Sequence, residues 1–221
     1  MRHLAITLSC FFFSLFLIAA APTVQAGPAC GLVLATAGEV LIQRGNATIA
    51  AARKTSLHVD DEIRTGDNAR AQLRLADGTI TTLGANTAFR IRQYTWRQQD
   101  EPSRVQLELV TGAFRAVTGK VLDARGSQLD VQTPAGVIGI RGTDFWGGYL
   151  DGDAVDVLLI DGRHAVEVSN ASGKVLLEKP GQGTTLKADQ SPLAVKEWPK
   201  TKVERAVATI TWPGGSTPPT E

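Results

Sequence analysis

The stretch AQLRLADGTITTL (71–83) puts Ala71, Leu73 and Leu75 at every second position, then an Asp-Gly pair, then a run rich in β-branched residues. Period-two alternation belongs to a strand with one covered face. Asp77-Gly78 supplies the positive φ angles that a tight hairpin turn needs. VDVLLIDGRHAVEV (155–168) follows the same plan of strand, Asp-Gly and strand, and reads as a second hairpin. Outward from these two, glycines recur at Gly66, Gly112, Gly126 and Gly173, with alternating runs such as Val105-Leu107-Leu109 between them. Turn signals at this spacing predict an all-β fold of about ten to twelve short antiparallel strands.

The two ends depart from this pattern. Pro199 suits the first turn of a helix, and Val203, Ala206, Val207 and Ile210 share one helical face. A short helix packed on the β-body is expected there. PGGSTPPTE (213–221) has the composition of a disordered tail. At the start, Arg2 precedes an apolar run from Leu4 to Ala21, and Val24 and Ala26 stand where a signal peptidase reads small residues. A signal peptide cut after Ala26 is expected, with retention as an uncleaved anchor the alternative, because about 18 apolar residues can span a bilayer. The resulting organisation is a signal peptide (1–26), a lead-in (27–34), a β domain (35–186), an extension with a short helix (187–212) and the tail (213–221).

The chain has 23 Lys and Arg against 22 Asp and Glu, a formal charge of +1, and loss of Arg2 with the signal leaves it neutral. Neutrality argues against a general grip on nucleic acid, which needs an excess of Lys and Arg. Past residue 26 Cys30 is the single cysteine, so neither a disulfide framework nor a cysteine metal site is available. His-Glu-x-x-His, Gly-x-Ser-x-Gly, Walker and dinucleotide motifs are all missing. His58 and His164 read as strand or surface residues, and Asp151, Asp153 and Asp156 fail the spacing of a calcium loop. The expectation is a non-enzymatic protein without a cofactor, with a carboxylate-pair hydrolase as the weakest alternative.

TPAGVIGIRGTDF (133–145) is the most unusual run. Thr133-Pro134 suits a strand entrance. Regular pairing would place Val137, Gly139, Arg141, Thr143 and Phe145 on one face, with Ile138, Ile140, Gly142, Asp144 and Trp146 on the other. Each glycine inside a strand costs roughly 0.5–1 kcal/mol, so Gly139 and Gly142 mark a bend, a bulge or a close crossing. Arg141 between them reads as a structural pin, with Asp144, Asp77 and Asp130 as candidate partners and ligand binding as the alternative role. Trp146, Gly147, Gly148 and Tyr149 could form an exposed ring platform for stacking a sugar or peptide, although aromatic clusters also close cores.

Taken together, LHVDDEIRTGDNARAQLRLADGTITTLGANTAFRI (57–91), LELVTGAFRAV (107–117), VQTPAGVIGIRGTDF (131–145) and VLLIDGRHAVEV (157–168) resemble the FecR domain, over roughly Ala35 to Leu186. The resemblance implies an all-β body, solenoid-like or sandwich-like, with Thr133, Pro134, Gly139, Arg141, Gly142 and Thr143 as its structural motif. Well-known members are sigma-factor regulators whose periplasmic part receives a signal from an outer-membrane receptor. They carry a cytoplasmic domain before their transmembrane helix, whereas this chain opens on a signal-like segment. What the resemblance implies here is a periplasmic or secreted bacterial module for sensing or protein interaction, without the anti-sigma part. Its partner would be an envelope protein, with a glycan or envelope polymer as the alternative.

Overall fold

The computed structural model describes residues 27–97, 101–120, 124–140, 142–162 and 164–215. The expected signal segment, Arg141 and the tail from 216 onward lie outside the described residues. The chain winds back and forth between two sheets. β1 (Ala29–Ala37) belongs to the first sheet, β2 (Val40–Arg44) and β3 (Ala47–Ala50) form a hairpin in the second, β4 (Ser56–His58) returns to the first and β5 (Glu62–Thr65) to the second. β6 (Arg70–Leu75) and β7 (Ile80–Leu83) add to the first sheet, β8 (Ala88–Thr95) and β9 (Arg104–Thr111) to the second, and β10 (Ala113–Val117) to the first. β11 (Gln128–Thr133) and β12 (Gly136–Ile140) join the second, β13 (Thr143–Gly148) and β14 (Val155–Gly162) the first, and β15 (Val166–Asn170) and β16 (Gly173–Leu177) the second. β17 (Gln182–Leu186) and β18 (Lys196–Glu197) finish the first sheet before α1 (Lys200–Ile210).

From one end to the other, the first sheet reads β4-β1-β6-β7-β10-β13-β14-β17-β18 and the second β3-β2-β5-β8-β9-β11-β12-β15-β16. From β5 onward each visit adds strands to the growing end, so a solenoid-like path produces a sandwich of two sheets. The fold is therefore all-β with a short C-terminal helix, as expected. Strands in two to four residues, such as β4, β5, β7 and β18, raise the number above the expected one because they are too short for alternation to repeat. Among the described strands β9 and β11 pair in parallel, and the reason is topological. The chain leaves the second sheet after β9, crosses the first as the single strand β10, and returns in the original direction.

Residues 71–83 form the expected hairpin, β6 against β7, with Gly78 at φ +90°. Residues 155–168 do not: β14 and β15 lie in different sheets, and Asp161-Gly162 pairs with Asp144 and Thr143 of β13 instead of turning the chain. A Cβ on Gly162, at φ +140°, would sit 2.1 Å from Thr143 Oγ1. Gly162→Ala is therefore expected to cost about 1–3 kcal/mol by overpacking, read as a lower midpoint in chemical denaturation; an unchanged midpoint would show that this corner relaxes freely. Residues 27–34, expected as a lead-in, supply most of β1, an interior strand between β4 and β6.

The core lies between the sheets. In the first sheet Val33, Leu73, Thr81, Ala116, Phe145 and Leu159 stand opposite one another in one buried inward row. Ile42, Ile63 and Phe89 do the same in the second sheet. Phe114 joins the layers, with ring centroids 5.4 Å from Phe89 and 5.4 Å from Phe145. A second, smaller core lies on the outer face of the first sheet, where α1 covers Ala113, Trp146 and Leu158 with Ala206 and Ile210. Pro199 is the N-cap and no side chain caps the helix, so α1 is held by what it covers. Gly84 makes the close approach possible, since a Cβ there would meet Thr209 O at 2.6 Å.

Candidate functional site

Residues 133–145 are a hairpin turn, a strand, a corner and the start of another strand. Thr133 closes β11, and its Oγ1 accepts from the amides of Ala135 and Gly136 and donates to Gly136 O. Thr133-Pro134 is thus a turn and not a strand entrance, because proline fits a turn position that needs no N–H. Gly142, at φ +95°, lies where the chain passes from the second sheet to the first. The expected alternation of faces along one strand fails for this reason: Ile138 and Ile140 face the core from β12, while β13 buries both Phe145 and Trp146 on opposite sides. Thr143 secures the corner, its amide donating to Thr118 Oγ1 at 2.8 Å and its hydroxyl to Asp161 O at 2.6 Å.

Arg141 falls outside the described residues, but the three acids named as its partners do not. Asp144 is held by Arg115 through Nε to Oδ1 at 2.8 Å and Nη2 to Oδ2 at 2.5 Å. Asp77, buried in the Asp-Gly-Thr turn, accepts from Thr79 Oγ1 at 2.5 Å and from the Tyr94 hydroxyl at 3.1 Å. Asp130 is half-buried, and it stands in one cross-strand row with Gly139 and Glu167 on the outer face of the second sheet. A Cβ on Gly139 would lie 3.3 Å from Asp130 Oδ1, so this glycine makes room between two carboxylates. The row floors a polar hollow of about 410 Å³ that Arg125, Gln128 and His164 also line.

Burial holds the Asp130 carboxyl above its ordinary range, opposed by Arg104 and reinforced by Glu167. A raised carboxyl favours the protonated form in the fold, so its stabilising contribution is full below the ordinary value of 3.8 and is lost as pH rises through the folded value. Asp130→Asn is accordingly expected to raise Tm at pH 7, with the difference closing as pH falls toward 3.8; a lower Tm at pH 7 would mean that the charged form is held by a partner.

Trp146 is fully buried, packed edge-to-face on Trp198 at 6.3 Å with Nε1 donating to Thr209 Oγ1 at 2.9 Å. Its ring cannot be an exposed platform, because α1 covers it. Tyr149 is half-buried against the main core, and burial pushes its phenol upward. Asp151 and, in β14, Asp156 anchor α1: Arg205 reaches Asp151 and Lys202 reaches buried Asp156, each at 2.7 Å. His58 and His164 each contact a backbone carbonyl, of Gly27 and Gly142. Among the described residues no group of three or more His, Cys, Asp or Glu could hold a metal ion.

Sequence reasoning missed a deeply buried polar anchor, the pair of Arg44 and fully buried Asp61, where Nε meets Oδ1 at 2.7 Å and Nη2 meets Oδ2 at 2.8 Å. Asp61 lies inside the 57–91 segment of the resemblance, yet nothing in its spacing points to Arg44. This pair joins the two sheets at one end of the sandwich, because Arg44 also donates to Ser56 O of β4 and Asp61 accepts from the His58 amide.

Residues 61–165 match the family described as FecR protein. That part of the chain is similar to the FecR domain. The matched span starts at Asp61 and takes in the Asp-Gly-Thr turn of the β6–β7 hairpin, the corner at Gly142 where the chain passes between sheets, and the β13–β14 pair. Two crystal structures of a "putative anti-sigma factor" from Parabacteroides distasonis ATCC 8503 share the architecture. They are 21% and 19% identical, with TM-scores of 0.51 and 0.50, and each match covers 65% of this chain and 62% of that one. At such identities the likeness is one of fold, and the chain spans about 62% of the length of those structures. No curated protein sequence matches the chain.

Proposed function

We propose that this FecR-domain protein is an exported, non-enzymatic module that works in the bacterial periplasm by docking a protein partner in a sensing or regulatory relay. The FecR match carries the reading, since residues 61–165 run from β5 to beyond β14 and fill the middle of the sandwich. The apolar run from Leu4 to Ala21 with Val24 and Ala26 supports export. No helix among the described residues is long and apolar enough to cross a membrane.

The test is expression of the full chain with a C-terminal tag, followed by fractionation, N-terminal sequencing and capture after crosslinking. The expected result is periplasmic protein beginning at Gly27 that retains one envelope protein, with the complex re-forming from the two purified components. Cytoplasmic retention would overturn the export, and failure of every captured protein to rebind when purified would overturn the docking role.

A further inference from the structure

A two-sheet sandwich that does not close has four edge strands, here β4 and β18 in the first sheet and β3 and β16 in the second. Edges left open invite pairing with other chains, so they are normally blunted. β4 is capped from the side, since Ser56 O accepts from Arg44 and the His58 amide donates to Asp61. β18 is two charged residues long and Pro199 follows shortly after. β16 carries Lys174, paired with Glu167 of β15. β3 has none of these guards: residues 45–52, GNATIAAA, contain no charge and no proline.

The hairpin of β2 and β3 closes with Arg44 opposite Ala47 around Gly45-Asn46. In an antiparallel pair alternate residues exchange both hydrogen bonds, so Ala47 and Ile49 turn their backbone groups toward β2 while Thr48 and Ala50 turn theirs outward. Ile49 packs its side chain on the core, and Ala47, Thr48 and Ala50 are exposed and small. A second strand can therefore approach closely. Just past the edge lie Arg53 and Lys54, both exposed and in no ion pair among the described residues.

We infer that β3 is the docking edge of the protein, and that its occupant is an extended segment of a partner protein that adds antiparallel to Thr48 and Ala50 and carries acidic residues at its N-terminal end, opposite Arg53 and Lys54. The inference rests on the interaction-module reading and names its surface. Strand addition draws affinity from main-chain hydrogen bonds and specificity from the flanking side chains. A second copy is a poor occupant, because antiparallel edge pairing brings Arg53 and Lys54 toward the Arg44 end of the neighbour, like charge against like.

The probe is a synthetic peptide of about eight residues, the length of a long strand, with two glutamates followed by alternating threonine and valine. It is added to the ¹⁵N-labelled full chain, and amide hydrogen exchange is read by NMR. The Thr48 and Ala50 amides are expected to slow by about tenfold, with no slowing by the same peptide N-methylated at alternate positions. Ala50→Lys is expected to abolish the effect, and so is Thr48→Pro, which removes an outward N–H while sparing the ladder to β2; should the proline variant not fold, Ala50→Lys decides. Slowing confined to β16, no slowing at Thr48 and Ala50, or protection that follows protein concentration without peptide would overturn the assignment. An envelope partner that binds wild type and Ala50→Lys equally would overturn the edge while leaving the docking role standing.

Discussion

Arg44→Ala is expected to lower stability by about 3–5 kcal/mol, the cost of leaving a buried charge without its partner. Asp61 is fully buried, and apart from Arg44 its carboxylate keeps one hydrogen bond, from the His58 amide at 2.8 Å. The two halves of the pair are not equivalent, because the Arg44 side chain is 23% exposed and that of Asp61 0%. Asp61→Asn frees a guanidinium that can turn to water, so its expected cost is smaller, about 1–3 kcal/mol. Urea denaturation of both single variants and of Arg44→Met/Asp61→Leu tests the ordering. The double variant is expected to recover part of the Arg44→Ala loss, since removing both charges removes the desolvation penalty. A loss under about 1 kcal/mol for Arg44→Ala would place the pair with ordinary surface ion pairs.

The second large effect is at Trp146, where replacement by alanine is expected to cost about 3–5 kcal/mol through the cavity it leaves. The ring sits between the first sheet and α1, against Trp198, and its Nε1 holds Thr209 inside the last turns of the helix. With no side-chain cap and an 11-residue length, α1 has little stability of its own. Loss of Trp146 is therefore expected to show first as faster amide exchange across Lys200–Ile210, ahead of global unfolding. Trp146→Phe keeps most of the apolar contact and loses the hydrogen bond, for about 0.5–1.5 kcal/mol. Val207→Ala, on the 38%-exposed side of the same helix, is expected to fall within about 0.5 kcal/mol of wild type. Equal protection of α1 in wild type and Trp146→Ala would show that the helix is held by its ion pairs to Asp151 and Asp156 instead.

Of the candidate site, the sequence made the landmarks legible but not their roles. Gly139 and Gly142 do have physical reasons, and they are two different ones. Gly139 leaves room between Asp130 and Glu167 in a row spanning three strands, whereas Gly142 takes the positive φ of a corner. Both lower local strand propensity in the same way, so composition could not separate them. Trp146 was ambiguous for a similar reason. An aromatic residue followed by glycines can be a platform or a core residue, and the choice depends on α1, more than fifty residues later in the chain.

What the sequence by itself determined was the local grammar: alternation makes strands, Asp77-Gly78 makes a hairpin, and spacing at 203, 206, 207 and 210 makes a helix. These signals are carried by neighbours within one or two turns of chain, where backbone sterics and one-sided burial act directly. Only the tertiary structure decided which strands share a sheet, that Asp161-Gly162 ends a strand where Asp77-Gly78 turns a hairpin, and which edges are guarded. Those outcomes depend on contacts between residues far apart in the chain, Arg44 with Asp61, Thr143 with Thr118 and Asp161, and Gly162 against Thr143. An Asp-Gly pair offers the same positive φ in either setting, and the packing around it selects between a hairpin and a crossing.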